Sequence, residues 1–181
     1  MKMIEAVLSN NRVIIWDIEK AKEIFEAGYY GKLKEDRLDL ALIEAAYLLE
    51  KEKIKILNLT HEKMDFNKFF DYCLSIDRRF KFKYIVYKDL RDRGLPTRSG
   101  FKFGCDFRVY ERGVKPIKRG KKSSREHTKW IVFAVPESYI FSFAEFSRAV
   151  RLAHNIRAHM LWAVVSENNE VKYYEITFFK P

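Results

Sequence analysis

The chain contains little of what marks secreted, zinc-binding or membrane proteins. Its 181 residues include two cysteines, four prolines, seven glycines and four histidines. Two cysteines, Cys73 and Cys105, cannot build the disulfide scaffold of a small secreted domain. No CxxC or HxxxH pair supplies the spacing of a structural zinc site. No run of 18 apolar residues could form a membrane-spanning helix, and Glu5 interrupts the apolar stretch that a signal peptide needs. We therefore expect a soluble, cytoplasmic protein without metal or cofactor.

Apolar and basic residues are abundant instead. Hydrophobic residues make up 48% of the chain and aromatic residues 15%, which is enough for one domain or two small ones. Lys and Arg number 35 against 25 Asp and Glu, so the net charge is +10. This charge favours a polyanionic partner, either nucleic acid or an anionic membrane. A generally basic or heat-adapted surface is the alternative interpretation.

The basic residues are densest in the segment 115–129, KPIKRGKKSSREHTK, which holds seven Lys or Arg and one Glu. It has no hydrophobic periodicity, and Pro116 and Gly120 would break a helix, so it is predicted to be a loop. Strand-like runs flank it on both sides, FGCDFRVY before and WIVFAVP after. We therefore expect a basic loop that is held at both ends by a sheet.

The pattern along the chain predicts an α+β fold in two domains. Residues 1–80 are expected to form a small N-terminal α+β domain that begins with a hairpin at Asn10 and Asn11. Residues 81–181 are expected to form a C-terminal domain in which a mixed sheet packs on helices. A helix ending at Gly94 precedes the strands of this second domain.

Helix ends can be assigned in both halves. Asp17 is expected to cap a helix that Gly28 ends. A second helix is predicted to begin near Asp39 and to carry Leu40 on its apolar face.

The ends of the basic loop carry two candidates for acid–base chemistry. Tyr110 ends the strand before the loop and His127 begins the strand after it, so the two can lie close together. A third group is expected on a helix from Phe143 to Met160, which Ser142 would cap. Metal-free RNA cleavage needs a base, an acid and a cation, and these residues fit that division. The plainer alternatives are a packed edge tyrosine and a solvated surface histidine.

Six sequence blocks spread along the chain carry a family resemblance. They are GYYGK and LALIEAAYLLE in the first half, then YIVYKDLRDRG, RSGFKFGCDFRVYERG, FSRAVRLAHNIR and YYEITFFKP. Together they resemble the archaeal tRNA-splicing endonuclease over the whole chain. The resemblance implies a metal-independent lyase that binds RNA and cleaves precursor tRNA at bulge–helix–bulge intron junctions. It also implies products with 2′,3′-cyclic phosphate and 5′-hydroxyl ends.

The resemblance assigns roles to individual residues. It implies that Tyr110 is the general base and His127 the general acid, and that Arg151 grips a bulge base by stacking. It also implies that the basic insertion between Tyr110 and His127 adds phosphate contacts and broadens the substrate range. The loop residues concerned are Lys118, Arg119, Lys121 and Lys122. The alternative for the loop is a solvated segment without a binding role.

One catalytic position departs from the family pattern, because the family lysine falls on Ala158. Three explanations for Ala158 are open. The first is that the lysine was replaced deliberately, and the second is that the chain is a natural non-catalytic subunit. The third is that Arg157 or His159 substitutes as the cation. Retention of Tyr110 and His127 favours the first explanation, and the chain with Ala158 is then expected to be nearly inactive.

Assembly is also implied by the resemblance. Two bulges need two active sites, and the apolar strand VKYYEITFF suits pairing across a dimer. The preceding loop has only Glu167 and Glu170, where homotetrameric relatives are strongly acidic. A heterotetramer with a structural endonuclease subunit is therefore favoured over a homotetramer.

Two other functions are kept as alternatives. One is a non-catalytic, structural or RNA-binding subunit of the same complex, which Ala158 would explain. The other is a DNA nuclease, but metal-dependent nucleases need clustered carboxylates and only Asp106 and Glu111 fall near the candidate site.

Overall fold

A computed structural model describes residues 3–100, 104–116 and 127–179. The chain folds into two compact units, Met1–Tyr84 and Ile85–Pro181. The boundary between them falls inside helix α4 (Phe80–Asp92), slightly C-terminal to the predicted boundary after residue 80. Each unit combines a sheet with helices, which confirms the predicted α+β class. Within the described ranges, no helix has both the length and the apolar sequence needed to cross a bilayer.

The N-terminal unit is built on a six-stranded sheet with the spatial order β3-β4-β2-β1-β5-β6. Its strands are β1 (Ile4–Ser9), β2 (Arg12–Ile15), β3 (Lys32–Leu33), β4 (Leu38–Ala41), β5 (Ile54–Leu57) and β6 (Lys63–Met64). Strands β1 and β5 are parallel, and all other neighbours are antiparallel. The hairpin between β1 and β2 turns through Asn10, which has φ 51°, so the predicted hairpin is confirmed.

Three helices follow the strands of this unit: α1 (Ile18–Gly28), α2 (Leu42–Glu50) and α3 (Phe66–Ile76). The carboxylate of Asp17 accepts the N–H of Lys20 at 3.2 Å, which confirms the predicted N-cap of α1. The predicted end of α1 at Gly28 is confirmed, and the next residue, Tyr29, takes the left-handed conformation with φ 56°. A Cβ at Gly28 would lie 2.5 Å from the ring of Tyr30, so a larger residue there would displace that ring.

The helix predicted to begin near Asp39 starts later. Asp39 and Leu40 belong to β4, where Leu40 pairs with Val13 of β2. Helix α2 begins after Ala41, and its start is satisfied by Glu44, whose carboxylate accepts the Ala41 N–H at 2.9 Å. The prediction failed because the alternating run around Asp39 fits a strand once β2 is available as a neighbour.

The C-terminal unit contains a five-stranded sheet with the order β11-β10-β9-β8-β7. Its strands are β7 (Thr97–Ser99), β8 (Phe107–Val109), β9 (Trp130–Pro136), β10 (His159–Val165) and β11 (Val171–Ile176). Only β9 and β10 are parallel, and helix α5 (Phe143–Asn155) makes the crossover that parallel neighbours require. Ser142 caps α5 by accepting the N–H of Glu145 at 3.2 Å, as predicted.

Both faces of this sheet are covered by helices. Helix α5 packs Ala149 and Ala153 on one face against a core that includes Ile131 and Met160. On the other face, the ring of Tyr87 in α4 contacts Phe107, with 5.6 Å between the ring centroids. The sheet is therefore held rigidly between two helices.

The predicted helix from Phe143 to Met160 is in fact a helix followed by a strand. Arg157 adopts φ 55°, and its N–H donates to the His154 carbonyl at 3.0 Å. The next N–H, from Ala158, donates to the Ala153 carbonyl at 2.9 Å. This is a Schellman ending, and it went unrecognised because no glycine marks it. The chain then enters β10 at His159, which is not helical as the prediction required.

Candidate active site

The ends of three neighbouring strands, β8, β9 and β10, lie side by side in the C-terminal sheet. The N–H of Lys129 donates to the Val109 carbonyl oxygen at 2.9 Å, and the N–H of His159 donates to the Lys129 carbonyl oxygen at 2.8 Å. Tyr110 directly follows the first of these strands and Ala158 directly precedes the third. The structure therefore brings together Tyr110, Lys129 and Ala158, one from each strand end. We call these three residues the edge row.

The pleat of the sheet gives Lys129 and Ala158 the same orientation. Ile131 and Met160 both belong to the core that faces α5, and Ala158 packs against that core. Lys129 lies two residues before Ile131, and Ala158 lies two residues before Met160. Because side chains alternate along a strand, Lys129 and Ala158 share the face that α5 covers.

Tyr110 follows the same alternation but is buried. The register pairs Arg108 with Ile131, and the N–H of Tyr110 continues the ladder to the Pro96 carbonyl at 3.0 Å. The side chain is 1% exposed. The phenol of Tyr110 is therefore enclosed in the isolated chain.

Lys129 brings a cation into the edge row. Its Nζ lies 3.3 Å from Oε1 of Glu111, and the two side chains are 41% and 44% exposed. Sequence reasoning placed Lys129 only within the basic segment and gave it no role of its own. The pairing that singles it out joins strands distant in sequence, and no local motif signals it.

The two histidines near this edge have different settings. His127 is exposed and lies three residues before β9, so its backbone is close to the edge row. His159 carries its imidazole to the opposite face, where Nδ1 lies 2.6 Å from Oε1 of Glu175. His127 thus lies two residues before Lys129 along the chain, and the imidazole of His159 is turned away from Ala158.

The residues expected to bind RNA fall in two groups. Arg151 is exposed on α5, where a guanidinium is free to meet a base or a phosphate. The four predicted loop contacts, Lys118, Arg119, Lys121 and Lys122, lie outside the described residues.

The two carboxylates that the sequence placed near the site are engaged in protein contacts, and Asp106 lies before β8, at the end of that strand opposite Tyr110. Asp106 accepts the N–H of Ala134 at 2.9 Å, and Glu111 pairs with Lys129. Among residues 3–100, 104–116 and 127–179, no group of three or more His, Cys, Asp or Glu side chains is arranged to hold a metal ion.

Comparison with known families covers most of the chain. Residues 80–173 match the family model of the catalytic C-terminal domain of tRNA intron endonuclease. Residues 4–70 match the model of the N-terminal domain of the same family. The two matched regions follow the order of the two compact units.

Curated relatives agree with these matches. The chain is 40% identical over 177 residues to the tRNA-splicing endonuclease of Thermococcus onnurineus, covering 98% of this chain and 97% of that protein. It is 38% identical over 178 residues to that of Thermococcus kodakarensis, covering 98% and 99%. Its match to that of Methanococcoides burtonii, 39% over 173 residues, covers 95% of this chain but 47% of that longer protein. With both domains matched and full-length relatives at this identity, the chain belongs to the tRNA intron endonuclease family.

Proposed function

We propose that this chain is the catalytic-type subunit of an endonuclease that cleaves precursor tRNA at bulge–helix–bulge intron junctions. Its products would carry 2′,3′-cyclic phosphate and 5′-hydroxyl ends, and the reaction would use no metal ion. The observation that carries the proposal is the edge row, in which Lys129 stands between Tyr110 and Ala158 on the strand that His127 precedes. Family membership supports the class of reaction, and the edge row supports the location of the residues proposed to carry it out.

The chemistry divides between two side chains. Tyr110, acting as its phenolate, takes the proton of the 2′-hydroxyl, and the freed oxygen attacks the adjacent phosphorus. The bond from phosphorus to the 5′-oxygen breaks, and His127, acting as its imidazolium, gives that oxygen a proton. The attack closes the phosphate onto the 2′- and 3′-oxygens, and no water is consumed. Because Tyr110 is 1% exposed in the isolated chain, RNA binding has to open the site first.

Arg151 and the basic loop would hold the substrate. A planar guanidinium on the surface of α5 suits stacking on an unpaired base. Lys118, Arg119, Lys121 and Lys122 would contact phosphates, which strengthens binding without reading sequence.

Assembly into a heterotetramer completes the proposal. Strand β11 lies at the edge of its sheet. Tyr174 on this strand is 52% exposed, and Phe179, three residues after its end, is 87% exposed, so this edge offers an aromatic surface to another chain. The loop before it has only Glu167 and Glu170 as acidic residues. A partner subunit with a more acidic loop would therefore complete the docking, in preference to a homotetramer.

A non-catalytic role in the same complex is the second candidate, and Ala158 is the observation that favours it. A chain that lacks the family lysine could position RNA or a partner while the partner cuts. Loss of one electrostatic stabiliser costs about 10²–10³ in rate, so the two candidates differ most clearly once a lysine stands at position 158.

The test is end-group analysis of a bulge–helix–bulge RNA cut in EDTA by the chain in its native assembly. The Ala158→Lys form should cut at both bulges, leave cyclic phosphates, and exceed the rate of the chain with Ala158. In that background Tyr110→Phe should abolish cleavage, whereas Tyr72→Phe, the same change on α3, should not. If neither form cuts, the non-catalytic role is correct. Cleavage that requires added metal would contradict the mechanism.

A further inference from the structure

Attack on a phosphodiester builds negative charge on the two non-bridging oxygens, and a positioned cation lowers the barrier. We propose that Lys129 is a catalytic residue of this chain and supplies that cation through its ammonium group. The proposal rests on the proposed function, since it concerns the same transesterification. It gives the chain a cation at the edge row despite the alanine at position 158.

The register makes Lys129 a neighbour of Ala158. Strands β9 and β10 are parallel, with His159 opposite Trp130, so the residues just before them, Ala158 and Lys129, are adjacent across about 4.8 Å of strand spacing. Both side chains leave the same face of the sheet. The side chain of Lys129 can therefore reach the space beside Ala158 from one strand away.

An ion pair with Glu111 holds the ammonium of Lys129 in the isolated chain. Nζ lies 3.3 Å from Oε1 of Glu111, the residue after Tyr110, and 6.0 Å from the centroid of the Trp130 ring. Both side chains are close to half exposed, and such pairs contribute little to stability. A phosphate with its two anionic oxygens can therefore replace the carboxylate at small cost.

Other described cations near the edge row fit less well. His159 faces the opposite side of the sheet and is engaged by Glu175. Arg157 is exposed in the left-handed turn that ends α5, outside the ladder that aligns the row. Lys129 is itself a member of the row, and its backbone is fixed to both neighbouring strands: its N–H donates to the Val109 carbonyl oxygen, and its carbonyl oxygen accepts from the His159 N–H.

The test is single-turnover cleavage of the same RNA in EDTA by the native assembly. The chain with Ala158 should cut slowly, and Lys129→Ala should lower that rate by about 10²–10³-fold. Lys129→Arg should keep most of the rate because it keeps the charge. Lys68→Ala makes the same charge change on an exposed residue of α3 and should leave the rate unaltered.

Rescue separates a catalytic role from a structural one. The double variant Lys129→Ala with Ala158→Lys should recover cleavage, because a lysine at position 158 makes Lys129 dispensable. The proposal is overturned if Lys129→Ala behaves like Lys68→Ala. It is also overturned if the chain with Ala158 is silent while Ala158→Lys cuts, although the proposed function then stands. Absence of cleavage by every form, Ala158→Lys included, overturns the proposed function itself.

Discussion

Replacing Asp39 with asparagine should destabilise the N-terminal unit. Asp39 is 5% exposed, and three cations surround its carboxylate: Lys34 at 2.7 Å, Arg37 at 3.0 Å and Arg12 at 3.4 Å. Asparagine keeps the size and one acceptor oxygen but removes the charge. The three cations would then repel one another around a neutral group.

The size of the effect follows from the exposure of the partners. Removing one member of a fully buried ion pair costs about 3–5 kcal/mol, because the other charge stays buried. Here the side chains of Arg12, Lys34 and Arg37 are 62%, 34% and 27% exposed, so water can rehydrate them. We therefore expect a loss of about 2 kcal/mol, between the buried and the surface limits. At about 2–4 °C per kcal/mol for a chain of this length, the melting temperature should fall by about 4–8 °C.

The pH dependence gives a second readout. Burial raises the pKa of Asp39, but hydrogen bonds from Lys34 and Arg37 outweigh it and hold the pKa below the ordinary 3.8. A carboxyl with a depressed folded pKa stabilises the protein above its unfolded pKa, and this stabilisation is lost as the pH falls through the folded value. The difference between the wild type and Asp39→Asn should therefore be full at pH 7 and shrink below pH 3.8.

Thermal unfolding followed by circular dichroism at pH 7 and pH 3 measures both effects. Asp36→Asn is the matched control, since that carboxylate also contacts Arg37, at 3.0 Å, but its side chain is 60% exposed. The control should lose less than about 1 kcal/mol. If Asp39→Asn melts with the control at pH 7, or if its deficit is unchanged at low pH, the assignment of Asp39 as a stabilising buried anion is wrong.

Three further changes probe the scaffold. Gly31→Ala should lower the free energy of unfolding by about 1–3 kcal/mol more than Gly113→Ala does. Both glycines have positive φ (67° and 79°), but only the new Cβ at Gly31 would lie 2.6 Å from the Asp39 carbonyl oxygen. Equal melting temperatures of the two variants would contradict this prediction. Burial raises the pKa of Cys105 to about 12, so iodoacetamide at pH 8 should modify this thiol only when denaturant is added. Rapid labelling of Cys105 in the native chain would contradict this prediction. Ser142→Ala should lower the free energy of unfolding in urea by about 1 kcal/mol, whereas Ser142→Asp should keep it. Equal stability of Ser142→Ala and the unchanged chain would show that the cap of α5 contributes nothing.

Features set by neighbouring residues could be predicted from the sequence. The caps at Asp17 and Ser142 each depend on one side chain and a backbone N–H three residues later, so the local pattern contains all of the information. The hairpin at Asn10 is local in the same sense. These predictions are confirmed because no distant partner competes for the same backbone groups.

Features set by distant residues could not be predicted. Asp39 looked like the start of a helix, yet its position in β4 depends on β2 and on cations contributed by other segments. The end of α5 at Arg157 has no glycine to signal the left-handed turn. The helix prediction therefore ran on to Met160 and placed His159 on the wrong kind of element.

In the candidate site too, some features depend on nearby residues and others on residues distant in sequence. Tyr110 and His127 stand at the two ends of one loop, so sequence order alone suggested that they meet. Lys129 gains its place from the parallel pairing of β9 with β10, which joins strands separated by α5. Their roles in cleavage stay predictions until the variants are measured.

The excess of positive charge and the candidate site both lie in the C-terminal unit. Residues 85–181 contain 19 Lys and Arg against 10 Asp and Glu, whereas residues 1–84 contain 16 against 15. The attraction for a phosphate backbone is therefore a property of the C-terminal unit, which also holds the edge row. Phosphate contacts position a substrate without reading its sequence. Under the proposed function, selection of an intron junction would come from the spacing of two such sites in the assembly, matched to two bulges. Raising the salt concentration should then weaken binding without moving the cut sites.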